Sequence, residues 1–263
     1  MPVQTKTIPI ELRHSFGRSL RRWFRAAHRD LPWRRTRDPY RVLISELMLQ
    51  QTQVSRVVEY YDAFLKRFPS LADLSRASPK AVMESWSGLG YYARARNLHA
   101  LAREVAPNGE PNSAIPPDPA ALRALPGIGA YTAGAVASFA YERRAALVDT
   151  NVARVLGRVF LPGIDVKKGP GHRAVWTLAE QLLPRTGRAV WVHNQALMEL
   201  GALVCTARVA RCPVCPVRRV CATYAASQSS GEGTARPARR GAANRDVPTP
   251  TTARRSRRAR TTA

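Results

Sequence analysis

Four cysteines, Cys205, Cys212, Cys215 and Cys221, fall within 17 residues as C-x6-C-x2-C-x5-C, and the chain has no others. Thiolates are soft, anionic ligands, so four of them on one short loop can hold a metal or a cluster. Disulfides are the weaker use of such a run, because a mid-sized intracellular helical protein gains little from them and rarely keeps them. Four thiolates also suit tetrahedral zinc, but zinc sites usually pair two C-x2-C knuckles and this run has one. Spacing therefore favours an iron–sulfur cluster, with zinc as the alternative. Arg208, Arg211, Arg218 and Arg219 stand among the cysteines, so the loop is also cationic.

The run 125–132, LPGIGAYT, is a second candidate. Gly127 and Gly129 let the backbone turn tightly and present bare N–H groups where a helix begins, a geometry that binds anions, phosphate above all. A G-x-G alone is weak evidence, since many helical hairpins use Gly only to turn. After Leu-Pro and in a basic chain it reads as a helix–hairpin–helix gripping a DNA backbone. Two carboxylates complete the set. Glu46 stands in VLISELML and Asp149 in AALVDTNVARVL, each flanked by apolar residues. Each has an ordinary explanation as well. Glu46, Gln50 and Gln53 recur at i, i+4, i+7 and can form one solvated face, while Asp149 can simply cap the helix after it.

The elements that must position these residues are helical. Leu12, Phe16, Leu20, Trp23 and Phe24 in 11–28 recur at three- and four-residue steps. The same pattern predicts helices over 40–51, 54–67, 79–86, 91–106, 118–125, 130–140, 149–160, 170–183 and 190–204. Ser78-Pro79 and Asp118-Pro119 give start signals, and Pro and Gly punctuate between segments. Few stretches alternate as strands do, and no repeat is visible, so the expected class is all-α.

Of 263 residues, 45% are hydrophobic, which can form a core and excludes wholesale disorder. No apolar run approaches the ~18 residues of a membrane helix, and the start has no apolar signal region. A soluble, intracellular protein with no membrane partner is expected. Lys and Arg total 42 against 18 Asp and Glu, a net charge of +24. Arg supplies 37 of the cations, which compositional drift can explain, but the net excess points to nucleic acid. Residues 225–263 carry nine Arg and two acids with one large aliphatic, Val247, and are expected to be a disordered basic tail adding phosphate affinity. The remaining 224 residues keep a net charge of +17.

LPWR (31–34), SELMLQQTQV (45–54), WSGLGYYARARNLH (86–99), LPGIGAYTAGAV (125–136), VDTNVARV (148–155) and NQALMELGALVCT (194–206), with the cysteine run, resemble the helix–hairpin–helix DNA glycosylases that carry a 4Fe-4S cluster. The resemblance is closest to their adenine DNA glycosylase branch and runs in order from about residue 10 to 222. It implies two helical lobes around a basic cleft: a six-helix barrel lobe over 36–145, and a cluster lobe formed by 1–35 with 146–224. It implies a monomer acting on double-stranded DNA that contains a mispair, in the bacterial cytoplasm at the nucleoid.

By the same resemblance Glu46 protonates an extruded adenine and Asp149 stabilises the sugar cation, with Tyr131 and Asn151 beside them. Arg34 and Gln195 match positions lining the base pocket. Gln51 and Tyr91 match residues that wedge beside the orphaned partner base, although Tyr91 can also be ordinary core. Related enzymes that cut the strand carry a Schiff-base lysine where this chain has Tyr131. The nearest lysines, Lys80 and Lys167, lie outside the motif, so a monofunctional enzyme is expected. Two departures stand out. Thr150 replaces the Gly common between the Asp and Asn, and only the Arg-rich segment follows residue 224, where the family usually has an 8-oxoguanine-recognition domain. Discrimination of 8-oxoguanine from guanine is therefore expected either to be weaker or to rest on contacts from the catalytic lobes alone. The alternatives are a thymine, uracil or damaged-pyrimidine glycosylase on the same scaffold, and a non-enzymatic lesion-binding or redox cluster protein.

Overall fold

The computed structural model describes residues 7–229. They form twelve α-helices: α1 (Ile10–Ala27), α2 (Pro39–Leu49), α3 (Val54–Arg67), α4 (Leu71–Arg76), α5 (Pro79–Ser85), α6 (Ala93–Val105), α7 (Pro119–Ala124), α8 (Ala130–Phe139), α9 (Thr150–Phe160), α10 (Gly169–Leu182), α11 (Gly187–Leu203) and α12 (Ala222–Ser229). Short 3-10 turns occur at Pro32–Arg34, Pro107–Gly109, Cys212–Val214 and Arg218–Val220. Among the described residues the only β pairing is an isolated bridge between Cys205 and Ala210. The all-α expectation holds.

Local chemistry explains the starts. Asp38 accepts from the N–H groups of Tyr40 and Arg41 and caps α2, whose first residue is Pro39. Ser78 and Asp118 cap α5 and α7 in the same way, each followed by Pro. All ten expected helices are present. Two more were not expected, α4 and α12. The last five residues of α12 lie in the stretch read as tail; residues 230–263 fall outside the described residues.

α2 is central. It buries Tyr40 and every residue from Val42 to Met48, and packs on α3, α6 and α8. Around it α4 and α5 pack on α6, and α7 on α8. A second group gathers on α11, where α1 and α9 pack, with α10 and α12 on α9. Phe16 and Phe24 of α1 meet α11 edge-on at His193 and Trp191. α11 also reaches the first group: the Asn194 amide donates to Ser138 Oγ and to the Ala145 carbonyl, both at 3.0 Å. One continuous apolar core runs through both groups. No helix among the described residues is long and apolar enough to cross a membrane.

Candidate active site and cysteine loop

A cavity of about 670 Å³ lies where α2, α8, α9 and α11 approach one another. Glu46, Tyr131, Asp149, Asn151, Arg34, Gln195, Gln51, Gly127 and Gly129 all border it. Residues far apart in the chain, and singled out separately from its sequence, thus converge on one space.

Glu46 is not solvated: it is 3% exposed, among the buried apolar residues of α2. α2 stops at Leu49 and Gln50 turns to extended backbone, so the expected polar stripe from Glu46 to Gln53 is broken. Burial pushes the Glu46 carboxyl up to about 7. The Tyr131 hydroxyl, donating at 2.7 Å, pulls it down, the Asp149 charge pushes it up, and Arg34 pulls it down again. Burial, with the nearby acids, holds the Tyr131 hydroxyl well above the ordinary tyrosine range, so it stays a donor.

Asp149 caps α9 and borders the cavity at once. Its Oδ1 accepts from the Val152 N–H at 2.6 Å and its Oδ2 from the Asn151 amide at 2.9 Å. The helix N-terminus adds partial positive charge beside the carboxylate. A Cβ on Gly201 would lie 2.6 Å from Asn151 Cβ, so α11 meets the start of α9 with no room for a side chain. Arg154 joins this corner to the cysteine loop. Its guanidinium donates to Asn151 Oδ1 at 2.8 Å, to the Gly201 carbonyl at 2.9 Å and to the Cys205 carbonyl at 2.9 Å.

On the far wall Arg34 donates to Gln195 Oε1 at 2.9 Å and to Glu199 Oε2 at 2.8 Å. Glu199 also accepts from the Arg29 side chain and backbone N–H. Burial would push the Glu199 carboxyl up, but these donors overcome it and hold it down at about 2. Sequence reasoning missed Arg29 and Glu199, although Glu199 is the one acid of NQALMELGALVCT.

Gln51 and Tyr91 border a smaller hollow of about 350 Å³ that shares Gln50 and Gln51 with the larger cavity. Tyr91 is 59% exposed, which excludes the core-packing reading. Both residues adopt left-handed backbone, φ 57° and 47°. The hairpin forms between α7 and α8. Gly127 takes φ 74°, and a Cβ there would meet Asn97, whereas Gly129 caps α8 at an ordinary φ beside open space. Neither Lys80 nor Lys167 borders the main cavity; Lys167 borders an adjoining groove.

All four cysteines are unbonded to one another and border a single space of about 320 Å³, with Arg158, Arg208, Arg211 and Arg218 around it. Burial pushes the Cys215 thiol up to about 11. Among the described residues no three His, Cys, Asp or Glu side chains converge as one bound metal ion requires.

Comparison with known proteins agrees with this geometry. Residues 44–181 match the HhH-GPD superfamily of base excision DNA repair proteins. The chain is 42% identical over 230 residues to the adenine DNA glycosylase of Rattus norvegicus, covering 83% of this chain and 43% of that one. It is 44% identical over 218 residues to the adenine DNA glycosylase of Homo sapiens, covering 79% of this chain and 39% of that one. It thus spans about two fifths of the length of these relatives. Among solved structures, a thermostable thymine-DNA glycosylase superposes with a TM-score of 0.74 at 32% identity, over 82% of this chain and 98% of that one. On the strength of the matched residues and this shared fold, the chain belongs to the HhH-GPD superfamily of base excision DNA repair proteins.

Proposed function

We propose that this chain is a monofunctional DNA glycosylase that hydrolytically removes adenine mispaired with 8-oxoguanine or guanine. One observation carries the proposal: the buried Glu46 carboxyl, which burial pushes up to about 7, faces the same cavity as the Asp149 carboxylate. Neither group can reach its target inside a duplex, so the base is first turned out into the cavity. Glu46 then gives its proton to adenine N7 as the N-glycosidic bond breaks and its electrons move onto the base. Asp149 stabilises the positive sugar left behind, and water adds to C1′. Tyr131 orients Glu46, and Asn151 holds Asp149 at its second oxygen. Arg34 and Gln195 supply donors for base edges, and Gly127 and Gly129 offer backbone amides to a phosphate. The names of the rat and human relatives support adenine. The likeness to a thymine-DNA glycosylase over nearly its whole length supports thymine as a second reading. A buried Glu46 carboxyl facing the same cavity as Asp149 disfavours a pure binding protein, which has no use for the pair.

Labelled duplexes holding A:8-oxoguanine, A:G, T:G, U:G or thymine glycol, with and without hot alkali, separate these readings. Breakage at A:8-oxoguanine and A:G that appears only after alkali is expected. Release of thymine without adenine would overturn the adenine assignment, and breakage without alkali would overturn the monofunctional one.

We read the cysteine loop as the seat of a 4Fe-4S cluster, because four thiols border one space and their spacing has a single C-x2-C knuckle. Cys205, Cys212, Cys215 and Cys221 would be its ligands, and the bound cluster would fix the fold of the loop. The purified protein is expected to be brown, with thiolate-to-iron absorption that Cys212→Ser diminishes. A colourless protein holding one zinc ion would refute the cluster. The full reading is a monomer bound to mispaired duplex DNA in a bacterial cytoplasm, with lobes at 36–145 and 1–35 plus 146–224.

A further inference from the structure

Arg94, in the first turn of α6, is 7% exposed and has no ion-pair partner among the described residues. A guanidinium buried without a carboxylate is costly unless its donors are satisfied. Here they are met by carbonyls and one hydroxyl. Nη1 donates to the carbonyls of Leu47, Met48 and Gln50 at 2.7, 2.8 and 2.6 Å. Nη2 donates to the carbonyls of Leu89 and Gly90, both at 3.0 Å, and to Thr52 Oγ1 at 3.1 Å. Nε donates to the Tyr91 carbonyl at 3.4 Å. Three of these acceptors close the C-terminal end of α2, where free carbonyls and the helix dipole both favour a cation.

The acceptors are not scattered through the core. They lie on the two turns that carry Gln51 and Tyr91, and the guanidinium also sits 5.5 Å from the centroid of the Tyr91 ring. Non-glycine residues hold left-handed backbone only where their surroundings enforce it. One planar fork with donors pointing to both turns is such a constraint. A lysine ammonium, a single point of donation, cannot span both.

We propose that Arg94 is a positioning residue that fastens Gln51 and Tyr91 into one prebuilt wedge and thereby sets the preference for the base opposite the excised one. The proposal rests on the glycosylase reading above, in which a base drawn into the larger cavity leaves its partner beside the smaller hollow.

The test is a double-mutant cycle in the full chain. Arg94→Lys is made in the wild type and in the Gln51→Ala/Tyr91→Ala background, and affinity for A:8-oxoguanine over A:T duplex is measured with single-turnover excision at saturating enzyme. In the wild-type background the affinity ratio is expected to fall about tenfold, with the saturated rate changed far less. In the wedge-deleted background the same substitution is expected to change the ratio by less than about twofold. An unchanged ratio, or the same loss in both backgrounds, overturns the proposal. If Arg94→Lys loses its helical circular dichroism, Thr52→Val replaces it in the cycle. Thr52→Val removes one acceptor and leaves the guanidinium in place, and the same two outcomes decide. Should the wild type bind mispairs selectively yet release no base, the glycosylase reading fails and the affinity cycle still decides on Arg94. Absence of any mispair preference in the wild type overturns both.

Discussion

Glu46→Gln is expected to lower base excision by roughly 10²–10⁴-fold, the span of general acid catalysis, while duplex affinity stays near that of the wild type. The amide keeps the shape of the carboxyl, and its oxygen still accepts from the Tyr131 hydroxyl that donates to Glu46 at 2.7 Å. What it lacks is a proton to give. In the wild type the protonated fraction of a group near 7 declines above neutrality, so the excision rate is expected to fall as pH rises through about 7. The residual rate of Glu46→Gln should lack that limb. Stability gives an independent reading. The folded carboxyl titrates at about 7 against 4.5 for its ordinary value, so the folded state holds the extra proton between those limits. Its contribution is fully present below the unfolded value and is lost as pH rises through the folded one, an effect on the order of 3 kcal/mol. Thermal melts of the wild type and Glu46→Gln between pH 4 and 8 should therefore diverge. Parallel melts together with retained excision would remove Glu46 from the proposed chemistry.

Asp149→Asn is expected to slow excision by roughly 10²–10³-fold, since it deletes the charge opposed to the sugar cation. The capping role of Asp149 makes this substitution informative. Asn caps a helix about as well as Asp, and its oxygen can still accept from the Val152 N–H, but its NH2 would face the Asn151 amide, so the melting temperature should fall less than for Asp149→Ala rather than stay fixed. Asp149→Ala removes both functions and should cost about 1 kcal/mol of stability in addition to the rate. Asp149 also raises the Glu46 carboxyl, so its loss should shift the falling pH limb toward lower pH. Measured single-turnover rates and melts for the two variants separate charge from cap. If both variants lose stability equally and Asp149→Asn keeps its rate, the carboxylate is only a cap.

Features carried by local sequence were legible in advance. The ten expected helices follow from apolar spacing and start signals, and the cysteine loop, the hairpin glycines and both acids stand out in their own segments. α4 is as short as α7 but lacks the Asp-Pro start signal that marks α7, so its six residues did not register although Ser70 caps it. α12 escaped because its Ala- and Ser-rich sequence buries nothing. The Arg29–Glu199–Arg34 cluster joins residues 165 and 170 positions apart, a pairing no local pattern contains. Arg94 looked like one of 37 arginines, because burial, not residue type, makes it unusual. The solvated-face alternative for Glu46, Gln50 and Gln53 falls away because α2 ends at Leu49, an end that nothing in the local sequence marks.

The contact at Gly201 bears on how readily this scaffold can be retuned. With an added methyl group only 2.6 Å from Asn151, the joint between α11 and α9 leaves no slack on the side that anchors the anion. At Arg34 and Gln195 the cavity is instead bounded by two side chains, the guanidinium donating to the Gln195 amide oxygen at 2.9 Å. Engineering toward a new nucleobase therefore has latitude on one flank only, and libraries that diversify Gly201 would spend their members on displaced anions rather than altered preferences.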